Sequence, residues 1–252
     1  MIRLTPSFRE KIWGSRRLEP WFPNSDLKIG EIWFEDAEDS PLLIKFIFTS
    51  EKLSVQVHPG DEYARMHHQS RGKTEMWHIL AADPGAKIAA GFRQPISRER
   101  LREASASGEI EELLAWHDAR PGDTFFIPAG TVHAIGGGLA LCEIQQRSDI
   151  TYRLYDYGRP RELHLERAAE VCRLQPHSPL RPREDVLVNC DYFVTRRMVL
   201  DRAKKPLDSG FVIVLHGKGT IGENAVEPGE VWRLDRGVEI GGEMTLLHVS
   251  LP

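Results

Sequence analysis

In the segment LSVQVHPGD, Gln56 and His58 stand two residues apart in a stretch of strand character, so their side chains leave one face while Val55 and Val57 leave the other. An amide oxygen and an imidazole on one strand face make half of a metal site. Glu75 opens the apolar run EMWHILA. If that run is an antiparallel neighbour, its carboxylate stands beside His58, with Trp77 on the same face and Met76 and His78 on the other. His133 closes a third piece, GDTFFIPAGTVHAI. There Gly122 admits the turn into a strand, Pro128 and Gly130 make the sharp turn out, and His133 starts the next strand pointing inward. Taken singly, a strand histidine is an ordinary polar face and a leading glutamate an ordinary solvated one. Together, two imidazoles, a carboxylate and an amide oxygen suit one Zn²⁺ with a position open for water or substrate; Fe²⁺, Mn²⁺, Co²⁺ and Ni²⁺ are chemically compatible.

The elements that must carry these donors read as short apolar runs between turn residues: 29–35, 42–48, 53–59, 75–81, 87–92, 123–130 and 139–146. They are four to eight residues long, rich in β-branched and aromatic side chains, and punctuated by Gly, Pro and Asp. Strands with closely spaced turns predict an all-β sandwich or barrel with a few short helices. A helical insertion interrupts the strands at about 97–119, with Ser97 capping its first turn, Gly108 splitting it in two and His117 at its end. A second short helix is expected at 163–172, with Leu163, Ala168 and Val171 on one face. The proline-rich 175–185 reads as a linker. The tail returns to strands from about Val186, with turns at HGKG (216–219) and EPGE (227–230). PGD at 121–123 is echoed by PGE at 228–230, each before an apolar strand, which suggests an internal duplication with chemistry in the first copy. The boundaries expected are 1–173 for a metal-binding domain and 174–252 for a smaller β domain without ligands.

Composition narrows the function classes. The 252 residues carry 33 basic against 37 acidic side chains, and 41% are hydrophobic. A near-neutral chain without a long Lys/Arg run argues against nucleic acid or a membrane surface as partner. No apolar stretch approaches the ~20 residues of a membrane helix, and MIRLTPSFREKIWGS lacks the apolar run of a signal peptide. Cys142, Cys172 and Cys190 form no CxxC and read as small buried apolar residues in a reduced, cytoplasmic protein. His78 packs rather than ligates, and His67, His68, His117, His164, His177, His216 and His248 read as surface or structural residues.

The spacing Gly122, five residues, Pro128, one, Gly130, two, His133 matches the second cupin motif, with Gly137 where that motif ends in Asn. SVQVHPGDEYA (54–64), GKTEMWHIL (72–80), PAGTVHAI (128–135) and EIQQRSDITYRLYDYGR (143–159), with IWGS (12–15) and GEIW (30–33), resemble type I mannose-6-phosphate isomerase in its short bacterial form. The resemblance covers roughly 8–172 and is weak in the tail. It implies a cupin-type jelly-roll β-barrel, duplicated with a reduced C-terminal half, and zinc held by Gln56, His58, Glu75 and His133. The family's active-site arginine falls on Arg153, its lysine two residues before the metal glutamate on Lys73, and its aspartate four residues before the arginine on Asp149. Two departures stand out: Arg147 occupies a place where a small polar residue is expected, and the chain is short for the family.

An aldose–ketose isomerisation moves a proton between C1 and C2 through a cis-enediol, and a cation at the adjacent oxygens lowers that barrier. Arg153 is expected to stabilise the enediolate or hold the substrate. Lys73 is the candidate base, its pKa driven down by nearby positive charge, and Asp149 a proton relay. Arg159, with Arg147 behind it, is the candidate for the substrate phosphate. A sugar phosphate is then the partner of a monomer or weak homo-oligomer. Two other readings compete: another metal-dependent cupin enzyme such as a dioxygenase, disfavoured by Gln56 and the SDITYR segment, and a non-catalytic sugar-binding cupin, which needs neither Lys73 nor Arg153.

Overall fold

The computed structural model describes residues 1–36, 40–178 and 185–252. The chain is mostly β with few helices, and its named strands form three antiparallel sheets. The first sheet has six strands in the order Pro6–Ser15, Ile29–Phe34, Leu42–Thr49, Leu139–Gln146, Glu75–Ala82 and Thr124–Ile127. The second has five: Tyr152–Tyr155, Val55–Val57, His133–Ile135, Lys87–Phe92 and Leu114–Asp118. The third gathers the C-terminal strands, with Gly210–Ile221 and Val238–Ser250 at its centre, and takes Ile2–Arg3 onto Val231–Leu234 at its edge.

Period-2 alternation decides what each strand buries. In Leu42–Thr49 every residue is buried, because both faces are covered. Ile44, Phe46 and Phe48, with Met76, Ala140 and Ile144, form one core with Phe211, Ile213, Leu215, Leu247 and Val249 of the C-terminal sheet. Ile47, Trp77, Ile79 and Leu141 face the other way and meet Ile88, Ala90 and Ile135 of the five-stranded sheet. That sheet's outer face, Val55, Val57, Ala89 and Leu154, is covered by helices Arg98–Ser107, Ile110–Leu113 and Leu165–Val171. The order of layers is therefore helices, five-stranded sheet, six-stranded sheet, C-terminal sheet. The charged groups Glu31, Lys45, Glu75 and Glu143, set in apolar strands of the six-stranded sheet, sit where that sheet faces the five-stranded one.

Most sequence expectations for the first 150 residues hold within a residue or two. The Ser97 hydroxyl accepts from the Arg100 amide and so caps its helix, and Gly108 ends it in a left-handed conformation at φ 87°. Several differ. The helical insertion stops at Leu113, and His117 lies in strand Leu114–Asp118, whose pairing with Lys87–Phe92 overrides helix periodicity. Asp61–His68 forms a helix that the strand-and-turn reading of the sequence leaves out. The later helix spans Leu165–Val171, leaving Leu163 outside it and exposed. HGKG is no turn: strand Gly210–Ile221 runs through it with a register shift between Val214 and His216, which Gly217 at φ 84° accommodates. EPGE is a turn, closed by a hydrogen bond from the Glu230 amide to the Glu227 carbonyl. Residues 179–184 of the expected linker lie outside the described residues, as do 37–39.

Burial holds the His78 and His58 imidazoles at about 4. In the unfolded chain each returns to ~6.5 and takes up a proton. Their contribution to stability is complete above ~6.5 and is lost as pH falls towards about 4. The urea midpoint should therefore fall between pH 7.5 and pH 5, and His78→Gln should flatten that dependence; an unchanged slope in the variant would remove His78 from the account.

Candidate active site

One row of Cα partners crosses the five-stranded sheet: Arg153 opposite Gln56, Gln56 opposite His133, and His133 opposite Ala90. Residues in register share a face, so Arg153, Gln56 and His133 all look towards the six-stranded sheet. Three backbone links fix the surrounding loops: the Gly130 amide donates to the His58 carbonyl, the Lys73 amide to the Pro59 carbonyl, and the Thr131 amide to the Pro128 carbonyl. Gly130 sits at φ 84°, and a Cβ there would lie 2.9 Å from the Val171 carbonyl oxygen, so only glycine fits the turn that delivers His133.

Glu75 comes from the facing sheet, not from an antiparallel neighbour of the His58 strand. It arrives at His58 and His133 because the two inner faces converge. His133 Nε2 is 3.4 Å from Glu75 Oε1, and His58 Nε2 is 3.5 Å from Glu75 Oε2. The outer nitrogens are already engaged: His58 Nδ1 donates to the Ile150 carbonyl and His133 Nδ1 to the Thr131 carbonyl, each at 2.9 Å. Both Nε2 lone pairs are thereby turned inward, the arrangement in which a backbone carbonyl fixes the tautomer of a metal-binding imidazole. Gln56 adds its amide, with Nε2 3.2 Å from His133 Nε2; a half-turn of the amide presents its oxygen instead.

Electrostatics match that assignment. Burial and then the Lys73 charge depress the His58 imidazole to about 4, and burial lowers His133, so both rings are neutral ligand forms near pH 7. Burial alone would raise the Glu75 carboxyl, but the Lys73 ammonium in contact with it holds it well below its ordinary range. Glu75 is fully buried, and its Oε1 has no hydrogen-bond partner among the described residues. An ionised carboxylate oxygen in that position calls for a cation. The residues present fit a divalent metal: two imidazoles and a carboxylate with ligand atoms within 4.8 Å of one another, plus an amide beside them.

Lys73 departs from expectation. Its Nζ lies 2.6 Å from Glu75 Oε2 and 3.0 Å from His58 Nε2. Burial works against its charge, but the carboxylates of Glu75, Glu143 and Glu31 outweigh burial and hold the ammonium above its ordinary value. The expectation of a downward shift counted only positive charge near Lys73, and the Glu75 carboxylate in direct contact acts the other way.

Beside the donors opens a cleft of about 330 Å³, within the size of small-molecule sites. Gln56, Lys73, Asp149 and Arg153 line it. Arg153 donates from Nη1 to the Glu162 carbonyl, and its amide donates to His164 Nδ1. Arg159 and Arg147 do not line the cleft. The Arg159 fork is spent on the Lys52 carbonyl, Glu51 and Asp156, and Arg147 donates to the Asp36 carbonyl. In their place the cleft has Lys11, Lys45 and Arg161, with Glu31 and Glu143. Lys45 pairs with Glu143 at 3.1 Å and lies 4.5 Å from the Trp33 ring, and Trp77 Nε1 donates to Glu143 at 2.8 Å. The sequence signal for these was available: a single charge inside IGEIWF, LLIKFIF and LALCEIQQ is a charge placed where only a partnered or functional one survives.

A β-rich chain with a buried His–Glu–His group and a charged cleft beside it has clear relatives among metabolic isomerases. It is 34% identical over 230 residues to the mannose-6-phosphate isomerase of Streptococcus mutans, covering 79% of this chain and 72% of that protein. It is 35% identical over 240 residues to mannose-6-phosphate isomerase ManA of Bacillus subtilis, covering 75% of this chain and 76% of that one. The fold superimposes on the crystal structure of the B. subtilis mannose 6-phosphate isomerase with a TM-score of 0.87, at 27% identity and over 99% of both chains. No family model matches. The chain belongs to the mannose-6-phosphate isomerase family, and among its described residues no helix is long and apolar enough to cross a membrane.

His133→Ala, which removes one donor without touching the five-stranded ladder, should lose stoichiometric metal by elemental analysis while keeping its far-ultraviolet circular dichroism. Full metal content in that variant would place the ion elsewhere.

Proposed function

We propose that this protein interconverts mannose 6-phosphate and fructose 6-phosphate by proton transfer through a cis-enediol, with one divalent ion, zinc, at Gln56, His58, Glu75 and His133. The observation that carries this reading is the orphaned Glu75 carboxylate oxygen between two imidazoles whose free nitrogens face it. When bound, the ion supplies a Lewis acid at the C1 and C2 oxygens. The rest falls to the chain. Arg153 lies in register with Gln56 on the cleft side, so its permanent charge stabilises negative charge building on the enediolate oxygens. Lys73 keeps its proton while it contacts Glu75, and in that arrangement it is a hydrogen-bond donor to a substrate oxygen rather than the base. Asp149, exposed at the rim, is the group free to relay a proton. Buried walls on both sides of the donors keep water from the reactive intermediate.

The same reading extends to architecture and setting. Residues 1–173 and 174–252 would be two copies of a jelly-roll unit, the second reduced and without ligands; PGD and PGE lead into the equivalent strands Thr124–Ile127 and Val231–Leu234. The protein works in the cytoplasm on a small sugar phosphate, as a monomer or weak homo-oligomer, without nucleic acid or membrane. The near-balanced charge supports this.

A coupled assay with both sugar phosphates tests the reaction. Activity should vanish on complete metal removal and return with zinc; turnover that survives chelation would overturn the proposal, and oxygen consumption would point to a dioxygenase. Arg153→Ala should keep its metal and lose roughly 10²–10³ in kcat, the size of a lost preorganised donor to a developing oxyanion.

A further inference from the structure

The wall of the cleft formed by residues 153–161 carries more positive charge than its own carboxylate balances. Asp156 is buried and is held by two arginines. Arg161 grips it with two hydrogen bonds, Nε to Oδ2 at 2.5 Å and Nη2 to Oδ1 at 2.7 Å, while Arg159 reaches Oδ1 from the other side at 3.4 Å. The turn between them is fixed by left-handed backbone at Tyr157 (φ 54°) and Gly158 (φ 76°) and by the Arg159 guanidinium against the Tyr157 ring. Two of the three arms of the Arg161 guanidinium are thus committed, and Nη1 has no partner among the described residues. Arg161 lines the cleft with its side chain 31% exposed.

Arg153 lies on the same wall. It bonds to the Glu162 carbonyl rather than to a carboxylate, and its buried Nε has no acceptor among the described residues. A buried guanidinium N–H without an acceptor is costly unless a ligand supplies one. Asp149, also on this rim, is not within ion-pair distance of either arginine.

We propose that Arg161, set in place by Asp156, is the anchor for the substrate's phosphate, and that Arg159 is a positioning residue that holds Asp156 from behind. This rests on the isomerase reading for the identity of the sugar, though the anion site itself does not. A planar fork with one side locked offers its free edge without the entropy of a mobile side chain, and arginine pairs with phosphate oxygens through directed N–H bonds. Arg153 reaches towards the sugar oxygens and Arg161 towards the far end of the molecule, which gives the cleft a polarity: donors at the carbonyl end, a guanidinium at the phosphate end. The two arginines thought from sequence to hold phosphate are accounted for: Arg159 acts through Asp156, and Arg147 belongs to another surface.

The test is Arg161→Ala in the metal-loaded protein, with Asp156 still paired to Arg159 so that no buried charge is stranded. KM for mannose 6-phosphate should rise roughly tenfold or more with a smaller change in kcat, and inorganic phosphate, followed by calorimetry, should lose affinity in the same proportion. Arg161→Lys, which keeps the charge but cannot grip Asp156 and a ligand together, should recover only part. Asp156→Asn should loosen KM through the same anchor. An unchanged KM and unchanged phosphate affinity in Arg161→Ala, or a wild-type protein that binds no phosphate, overturns the proposal. A wild type that turns over neither sugar phosphate, yet binds phosphate only when Arg161 is present, overturns the isomerase reading and leaves the anion site standing.

Discussion

A carboxylate buried between two sheets is the constraint on which the rest of this structure depends. Glu75 is ionised, has no access to water, and lies between imidazoles that cannot donate to it, because each has given its proton to a backbone carbonyl. Lys73 satisfies one of its oxygens and leaves the other bare. Removing such a group from water costs several kcal/mol unless positive charge answers it. The surrounding features serve that requirement: Gly130 delivers one ring, the strand Val55–Val57 the other, and the row from Arg153 to His133 keeps them in register.

Around that centre the cleft is built from pairs rather than isolated charges. Lys11 with Glu31, Lys45 with Glu143, and Arg161 with Asp156 each place a cation beside a carboxylate at 2.5–3.1 Å. Paired groups of this kind cannot drift, so their remaining hydrogen-bonding edges point in fixed directions. A small polar molecule entering the cleft meets donors that are already oriented, and little ordering remains to be done when it binds.

How much of this could be read from the sequence varied with the physical range of the signal. Gln56 and His58 were legible because two residues apart on a strand means one face, and Gly122, Pro128, Gly130 and His133 because each answers a local backbone demand. The strands flanking them were legible for the same reason, being short apolar runs between turn residues. Which sheet Glu75 belonged to was not, since strand order is set by contacts far apart in the chain. The contact of Lys73 with Glu75 was not legible, because it depends on one distance, 2.6 Å, between residues whose side chains meet only in the folded site. HGKG looked like a turn because glycines usually make one, yet pairing with Val238–Ser250 carries the strand straight through. Arg161 was passed over for Arg159, two residues away, because nothing local says which of two neighbouring arginines turns inward.

The apolar face of the six-stranded sheet that bears Ile44, Phe46 and Phe48 is partly covered by Trp21 and Phe22, and the rest of its cover, with Phe211, Ile213, Leu247 and Val249, comes some 165 to 200 residues further along. During synthesis that face emerges long before its complement. With a ribosome adding about 5–20 residues per second, it stays uncovered for roughly ten seconds or more. The N-terminal catalytic layer must therefore pass through a stage with a broad sticky surface, and quality-control factors that recognise exposed aliphatic and aromatic groups have their best opportunity there. The C-terminal sheet earns its place as a permanent internal lid on that surface, whatever else it contributes.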